Sequence, residues 1–255
     1  MKLTFLGTGT SCGVPVIGCQ CEVCRSQDSR DKRTRCSVLV ETEQTRVLID
    51  CGPDFRAQIL PQPFRKIDGI LITHSHYDHV GGMDDIRPYC QFGEINVYAD
   101  PIAKKGMLEM LPYCFAENRY PGVPAIKLHE IYAHEPLKIG DLDILPIEVL
   151  HGKLPILGYR IGKLTYITDM KTIEETEYPF LEDTEWLVVN ALRFTKPHHS
   201  HQLVDDAIQF ARRVGAKHTL LIHVCHDIGL HAQVNHLLPP DIQLAYDTQE
   251  IFLGS

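Results

Sequence analysis

The chain has no apolar run long enough to span a bilayer, which takes about 20 consecutive residues. Nor do its 255 residues contain a low-complexity segment or an evident linker. Basic residues are in deficit: 25 Lys and Arg stand against 33 Asp and Glu, a formal net charge of −8. A broad nucleic-acid footprint needs a basic surface, so nucleic acid is not expected as a partner. No Gly-Lys-Ser/Thr follows Gly7-Thr8-Gly9-Thr10 at the spacing of a phosphate-binding P-loop. Those glycines read instead as a tight turn. The opening Met1-Lys2-Leu3-Thr4-Phe5-Leu6 is too short in apolar residues for a secretory leader and reads as a first strand. A cytoplasmic protein with no membrane partner is the expectation.

Histidine and cysteine are plentiful by contrast. There are 14 His and nine Cys, and in a reducing compartment clustered cysteines read as metal ligands before disulfides. His74-Ser75-His76-Tyr77-Asp78-His79 packs four metal-ligand side chains into six positions, directly after the apolar run Gly69–Thr73. Groups this dense need hydrogen-bond partners or a metal if they are to be buried. Three further apolar runs end the same way. Ile144–Leu150 leads into His151, Leu164–Thr168 into Asp169, and Thr219–Ile222 into His223. Strands running toward one sheet edge would gather His74, His76, Asp78, His79, His151, Asp169 and His223 there, on rigid supports. Five imidazoles and two carboxylates exceed one tetrahedral site and suit two divalent ions about 3.5–4 Å apart, a recurring hydrolytic arrangement. An imidazole-rich set suits zinc or manganese, with iron and nickel as further candidates. Asp169 has the short carboxylate that could bridge.

Around these ends the pattern predicts a hairpin of Ser37–Thr42 with Arg46–Asp50. A second hairpin turns at Gly162-Lys163. Helices are expected over Asp54–Leu60, with Pro53 at its start, and over Ile102–Leu111. The clearest helix is Gln202–Val214, with Ser200 as N-cap and Gly215 as stop. Residues 112–136, rich in Pro, read as irregular, either a lid or a surface loop.

The H-x-H-x-D-H run with His151, Asp169 and His223 at later strand ends resembles the metallo-β-lactamase superfamily over nearly the whole chain. The resemblance implies an α/β fold, a four-layer αββα sandwich with two metals at one edge, and a single metallo-hydrolase domain over 1–255. It implies that His74, His76 and His151 hold one ion, that Asp78, His79 and His223 hold the other, and that Asp169 bridges them. Asp50, in Leu48-Ile49-Asp50-Cys51-Gly52, would orient the site loop by hydrogen bonds.

A second cluster narrows the resemblance. Cys19, Cys21 and Cys24 supply three thiolates within six residues, and a structural zinc wants a fourth ligand. His226, Cys12 and Cys225 are the candidates. The segment from Gly7 to Cys24 is similar to the PhnP-type branch, the family of phosphoribosyl 1,2-cyclic phosphate phosphodiesterase. There a C-x-C-x-x-C loop and a C-terminal His hold a structural zinc, here at about 12–26 with His226 as the fourth ligand. His223-Val224-Cys225-His226 matches the run that serves both metal sites. The resemblance implies hydrolysis of a small cyclic phosphate, a ribosyl 1,2-cyclic phosphate or 2′,3′-cyclic nucleotide, through a metal-bridging hydroxide. His201 would contact the phosphate and assist the leaving oxygen, and Asp78 could shuttle protons while metal-bound. His198 and His199 are expected at the surface. Cys36, Cys51, Cys90 and Cys114 are expected as buried apolar side chains. Alternatives are a tRNase Z-like RNA 3′-processing endonuclease, whose motifs overlap, and a PqqB-like non-hydrolytic metal-binding or biosynthetic protein. The partner is a small-molecule phosphate ester; a homodimer is left open.

Overall fold

In the computed structural model, which describes residues 1–116 and 120–254, apolar residues alternate along strands that are buried on both faces. β1 (Lys2–Gly7), β2 (Ser37–Glu41), β3 (Arg46–Ile49), β4 (Gly69–Leu71), β5 (Ile95–Ala99) and β6 (Ile126–Glu130) form one sheet. β7 (Leu137–Ile139), β8 (Leu142–His151), β9 (Leu154–Ile161), β10 (Leu164–Ile167), β11 (Trp186–Asn190), β12 (His218–Ile222) and β13 (Ile242–Leu244) form the other. β14 (Glu250–Phe252) returns to pair with β1, so that each sheet has seven strands. The helices are α1 (Glu22–Arg25), α2 (Phe55–Ile59), α3 (Tyr77–Val80), α4 (Pro101–Met110), α5 (Pro112–Phe115), α6 (Val204–Val214) and α7 (His231–Leu237).

The period-2 pattern sorts side chains into layers. Val38, Val40, Val47, Ile49 and Leu71 meet Tyr159, Ile161, Tyr166, Val188 and Ile222 between the sheets. Their neighbours Leu39, Leu48, Ile70 and Ile72 face outward onto Phe55 of α2 and Ala103 and Met107 of α4. On the far side, Leu187, Val189 and Leu221 pack under Ala207, Phe210 and Val234 of α6 and α7. Each fully buried side chain of this size contributes about 1.5–3 kcal/mol. The result is helices, sheet, sheet, helices: the four-layer αββα sandwich.

This topology delivers the strand ends to one edge. β8 and β10 are both antiparallel to β9, and β10, β11 and β12 are parallel, so β8, β10 and β12 point the same way. Beyond β4, the backbone is tied to the second sheet: the Tyr159 hydroxyl donates to the carbonyl of Ile72 at 2.5 Å, and the Leu157 amide to that of Thr73 at 3.0 Å. His74 therefore leaves the first sheet facing the ends of the second.

Several local expectations shift. The Gln202–Val214 helix begins at Val204, and its N-cap is Leu203 rather than Ser200; the Asp206 carboxylate accepts from the Leu203 amide at 3.0 Å. Ser200 is drawn into the loop, where its carbonyl accepts from His151 Nδ1. Gly215 ends the helix at φ 75°, as expected. Asp54, not Pro53, precedes α2, and its carboxylate pairs with Arg35 at 3.0 Å. The irregular reading of 112–136 fails at α5 and at β6, which pairs in parallel with β5. Residues 117–119 of that stretch, and the lid reading there, lie outside the described residues. Among the described residues no helix is long and apolar enough to cross a membrane.

A buried polar knot joins the chain's two ends. The Arg33 guanidinium donates to Thr8 Oγ1 at 2.7 Å and to the carbonyl of Ala245 at 2.5 Å, and meets His231 Nδ1 at 3.2 Å. Burial, then the adjacent Arg33, push the His231 imidazole down to about 4. Above the ordinary imidazole pKa of about 6.5 the ring is neutral in both folded and unfolded chains. Below it the unfolded chain takes up a proton that the folded chain refuses until about pH 4. Stability should therefore fall as pH drops from about 6.5 to 4, and His231→Gln should flatten part of that slope. Urea unfolding midpoints of both proteins across this window check it; parallel slopes would contradict it.

Candidate metal centre

Asp50 leaves the end of β3 with φ 61° and is fully buried. Its Oδ1 accepts from the Thr73 amide and its Oδ2 from the Thr73 hydroxyl, both at 2.8 Å, and Oδ2 lies 2.7 Å from His79 Nδ1. With Nδ1 engaged, His79 presents Nε2 to the interior of the site. Gly52 makes room for this packing, since a Cβ there would stand 2.1 Å from the Asp78 carbonyl oxygen.

Two sets of side chains converge above. His74 Nε2 and His76 Nδ1 are 3.0 Å apart. His151 points its Nδ1 at the carbonyls of Asp169 (2.7 Å) and Ser200 (2.9 Å), which leaves Nε2 for the site. In the second set, Asp78 Oδ2 lies 3.2 Å from His79 Nε2 and 3.7 Å from His223 Nε2. Asp169 stands between the sets, with Oδ2 3.0 Å from His79 Nε2 and Oδ1 3.0 Å from His223 Nε2. The ligand atoms of His74, His76 and His151, of Asp78, His79 and His223, and of Asp169 with His74 and His79 each fall within 4.8 Å of one another. All seven expected residues are brought together.

The electrostatics say what such a site wants. Burial alone would raise the Asp169 carboxyl, but His223 and His79 outweigh it and hold it well below the usual carboxylate range. Burial alone would strip the proton from His79, but Asp169, Asp50 and Asp78 hold it well above the usual range; the same contest pushes His223 up to about 9. Yet His79 Nε2 and both ring nitrogens of His223 are buried without a hydrogen-bond partner, and the two Nε2 atoms face carboxylates at contact distance in the wrong geometry for a proton. Imidazoles and carboxylates aimed at shared points, with positive charge in demand, fit divalent cations.

Cys19, Cys21, Cys24 and His226 form a separate cluster, with His226 Nδ1 3.4 Å from Cys19 Sγ and 3.3 Å from Cys21 Sγ. The Val16 and Cys24 amides donate to Cys24 Sγ and Cys21 Sγ, both at 3.4 Å. His226, followed by the Cys24 amide, pulls the Cys21 thiol down to about 6. Three sulfurs and one imidazole in a closed group could hold a tetrahedral metal. The rival ligands are elsewhere: Cys12 is exposed, and Cys225 is buried outside the cluster.

His201 lies against the dinuclear cluster, its ring centroid 4.7 Å from that of His151 and 4.8 Å from that of His223. Its Nδ1 is buried without a hydrogen bond, 3.5 Å from Asp169 Oδ1. His199 is exposed as expected, but His198 is half-buried and stacks on His201 at 4.8 Å. Of the four scattered cysteines, Cys36, Cys51 and Cys114 are buried and Cys90 partly so. Sequence reasoning missed Asn190 and Gln202. Asn190 clamps the residue after Asp169, accepting from the Met170 amide at 2.8 Å and donating to its carbonyl at 2.9 Å, and Gln202 donates to the Asn190 carbonyl at 2.7 Å. The available signal was a polar residue closing the apolar run Trp186–Val189.

Comparison with known proteins agrees with this geometry. The family described as a beta-lactamase superfamily domain matches residues 45–224. A crystal structure described as a new diphosphatase from the PhnP family is 37% identical, with TM-score 0.91, covering 99% of this chain and 98% of that one. A Porphyromonas gingivalis protein named octanoyltransferase is 44% identical over 254 residues, 99% of this chain and 52% of that protein. Ribonuclease Z of Methanopyrus kandleri is 28% identical over 166 residues, 63% of this chain and 50% of that protein. The chain spans about half the length of these two curated relatives.

Two outcomes are expected. Asp50→Ala, which frees His79 Nδ1, should weaken metal binding at the dinuclear cluster by about 10–100-fold, read by competition with a chelator; unchanged affinity would refute the orienting role. Cys24→Ser should remove one equivalent of bound metal per chain by elemental analysis and leave the dinuclear content in place.

Proposed function

The chain belongs to the metallo-β-lactamase superfamily and, within it, to the PhnP family, and from that premise we propose that it hydrolyses a P–O bond of a small phosphate ester at a dinuclear metal site. The observation that carries this reading is Asp169, whose two oxygens each face an imidazole of the second set while the carboxylate also borders His74. In this reading His74, His76 and His151 would hold one ion and Asp78, His79 and His223 the other, with Asp169 within reach of both sets. Zinc or manganese are the preferred occupants, with iron and nickel as further candidates; zinc is assigned to Cys19, Cys21, Cys24 and His226. Residues 1–255 act as one metallo-hydrolase unit.

When bound, such a metal pair supplies Lewis acidity and a water acidic enough to ionise near neutral pH. The chain's own residues do the rest. Asp50, Thr73 and the Ser200 carbonyl fix the imidazole orientations. His201 is kept neutral by burial, then by His223, which together push it down to about 3 against the pull of Asp169. A neutral ring can donate one hydrogen bond to a phosphoryl or leaving oxygen as charge builds there.

Two substrates compete within this class. The sequence resemblance favours a small cyclic phosphate. The 37% identical relative, described as a diphosphatase, favours a linear diphosphate. Octanoyl transfer has no support in the site, whose convergent groups are imidazoles and carboxylates, and nearly half of the Porphyromonas protein lies outside the match.

The deciding measurement is turnover by metal-loaded protein on ribosyl 1,2-cyclic phosphate, 2′,3′-cyclic nucleotides, a linear diphosphate ester and precursor tRNA. Cleavage of tRNA alone would transfer the reading to a tRNase Z-like nuclease; metal retention with no cleavage would transfer it to a PqqB-like role. His201→Ala should keep both metals and lower kcat on the preferred phosphate by about 10²–10³-fold. Unchanged kcat, or lost metal, would remove that role.

A further inference from the structure

Basic side chains gather around His201, in a chain whose net charge is −8. Lys171, two residues past Asp169, is half-buried and donates from Nζ to the backbone carbonyl of His201 at 3.2 Å. Among the described residues no carboxylate lies within ion-pair distance of its ammonium group. His198 stacks on the His201 ring, its centroid 4.8 Å away and its plane tilted by 30°. Its Nδ1 is pinned by the Ser200 amide at 3.3 Å and faces the Ser200 hydroxyl at 3.2 Å. After burial, the groups that bear on His198 are His199, Arg193, His151 and Lys171, and all are basic. Arg193 is partly answered by Asp227 at 3.6 Å; Asp206 of helix α6 lines the same pocket as Lys171 but lies beyond ion-pair distance of it and accepts from the Leu203 amide. Metals held at the dinuclear cluster would answer the charge of the phosphate being cleaved. A half-buried ammonium with no carboxylate within ion-pair distance is able to receive a second anion.

We propose that Lys171 and His198 form a second anion subsite on the outer side of His201, and that the substrate carries a second phosphate joined to the one attacked. The proposal rests on the phosphate-hydrolase reading above and selects the linear diphosphate within it. One water adds across the P–O–P bridge: its oxygen bonds the attacked phosphorus, the bridging oxygen leaves with the second phosphate, and the two water protons end on the phosphate products or in solvent. No oxidant or co-reactant is needed. Lys171 holds the leaving phosphate by charge, and the His201 carbonyl sets the direction of the ammonium.

Lys171→Gln separates charge from position, because the amide can still donate to the His201 carbonyl. Calorimetric titration of the metal-loaded protein with methylenediphosphonate, a non-hydrolysable diphosphate, and with orthophosphate gives the readout. The wild type should bind the diphosphonate more tightly. Lys171→Gln should weaken diphosphonate binding about tenfold further than orthophosphate binding, the worth of one charge-assisted hydrogen bond. His198→Ala should do the same to a smaller degree, and Lys171→Arg should restore most of the difference. Equal losses on both ligands, or a wild type that prefers orthophosphate, would overturn the subsite. Turnover separates this failure from a deeper one: cleavage of a cyclic phosphate but not of a diphosphate ester sinks the subsite and leaves the hydrolase reading standing. Cleavage of neither sinks both.

Discussion

The carboxylate of Asp169 faces His79 Nε2 with one oxygen and His223 Nε2 with the other, each at 3.0 Å, while its own backbone carbonyl receives His151 Nδ1 at 2.7 Å. One residue thus touches imidazoles that arrive from both sheets. Its side chain is almost wholly buried, where an unpaired carboxylate would be strongly disfavoured. The surrounding rings can stabilise it only if each strand end stops at the right place. The architecture of the edge follows from that requirement: Asn190 clamps Met170 next door, Gln202 holds Asn190, and the Thr73 carbonyl is bound by Leu157 of the opposite sheet.

Those ends are set at a conformational cost. Asp50, Asp169 and His223 adopt φ of 61°, 56° and 52°, the left-handed region that side chains other than glycine enter at roughly 1–3 kcal/mol each. All three sit where an apolar strand stops: Asp169 and His223 present candidate ligand atoms there, and Asp50 presents the carboxylate that orients His79. The turn in the backbone throws the carboxylate or imidazole inward from the sheet edge instead of continuing the alternation. The apolar layers on both faces of each sheet offset the strain, since they leave the strands no freedom to relax.

What could be read in the residues and what could not divides along the same physical line. The four strand ends were legible because each is a local event, an apolar alternation broken by a His or Asp, whereas the two-sheet sandwich came from the superfamily resemblance those ends carry. Ser200 was misread because the capping rule is local, whereas the structure uses its carbonyl for His151, 49 residues away. His198 looked like one more polar loop residue, and only the fold brings its ring onto His201. Asn190 had no local signal beyond its position, since its partner Met170 lies across a strand connection. The fourth member of the cysteine cluster had three candidates in sequence. The Cys225 amide donates to the Leu192 carbonyl at 3.0 Å, which turns that residue inward and His226 outward.

The His223–His226 segment links the two clusters mechanically. Between them, the Val224 amide donates to the Thr8 carbonyl at 3.3 Å and the Val224 carbonyl accepts from the Thr10 amide at 3.2 Å. The loop that carries Cys19, Cys21 and Cys24 is therefore stitched to the strand end that carries His223. His226 adds a second stitch on the far side. A peptide unit held at both flanks can keep a buried imidazole in a left-handed backbone conformation that it would otherwise leave. The Thr8 and Thr10 backbone groups thus hold the peptide beside His223, and the cysteine cluster holds the far end of the same short segment through His226.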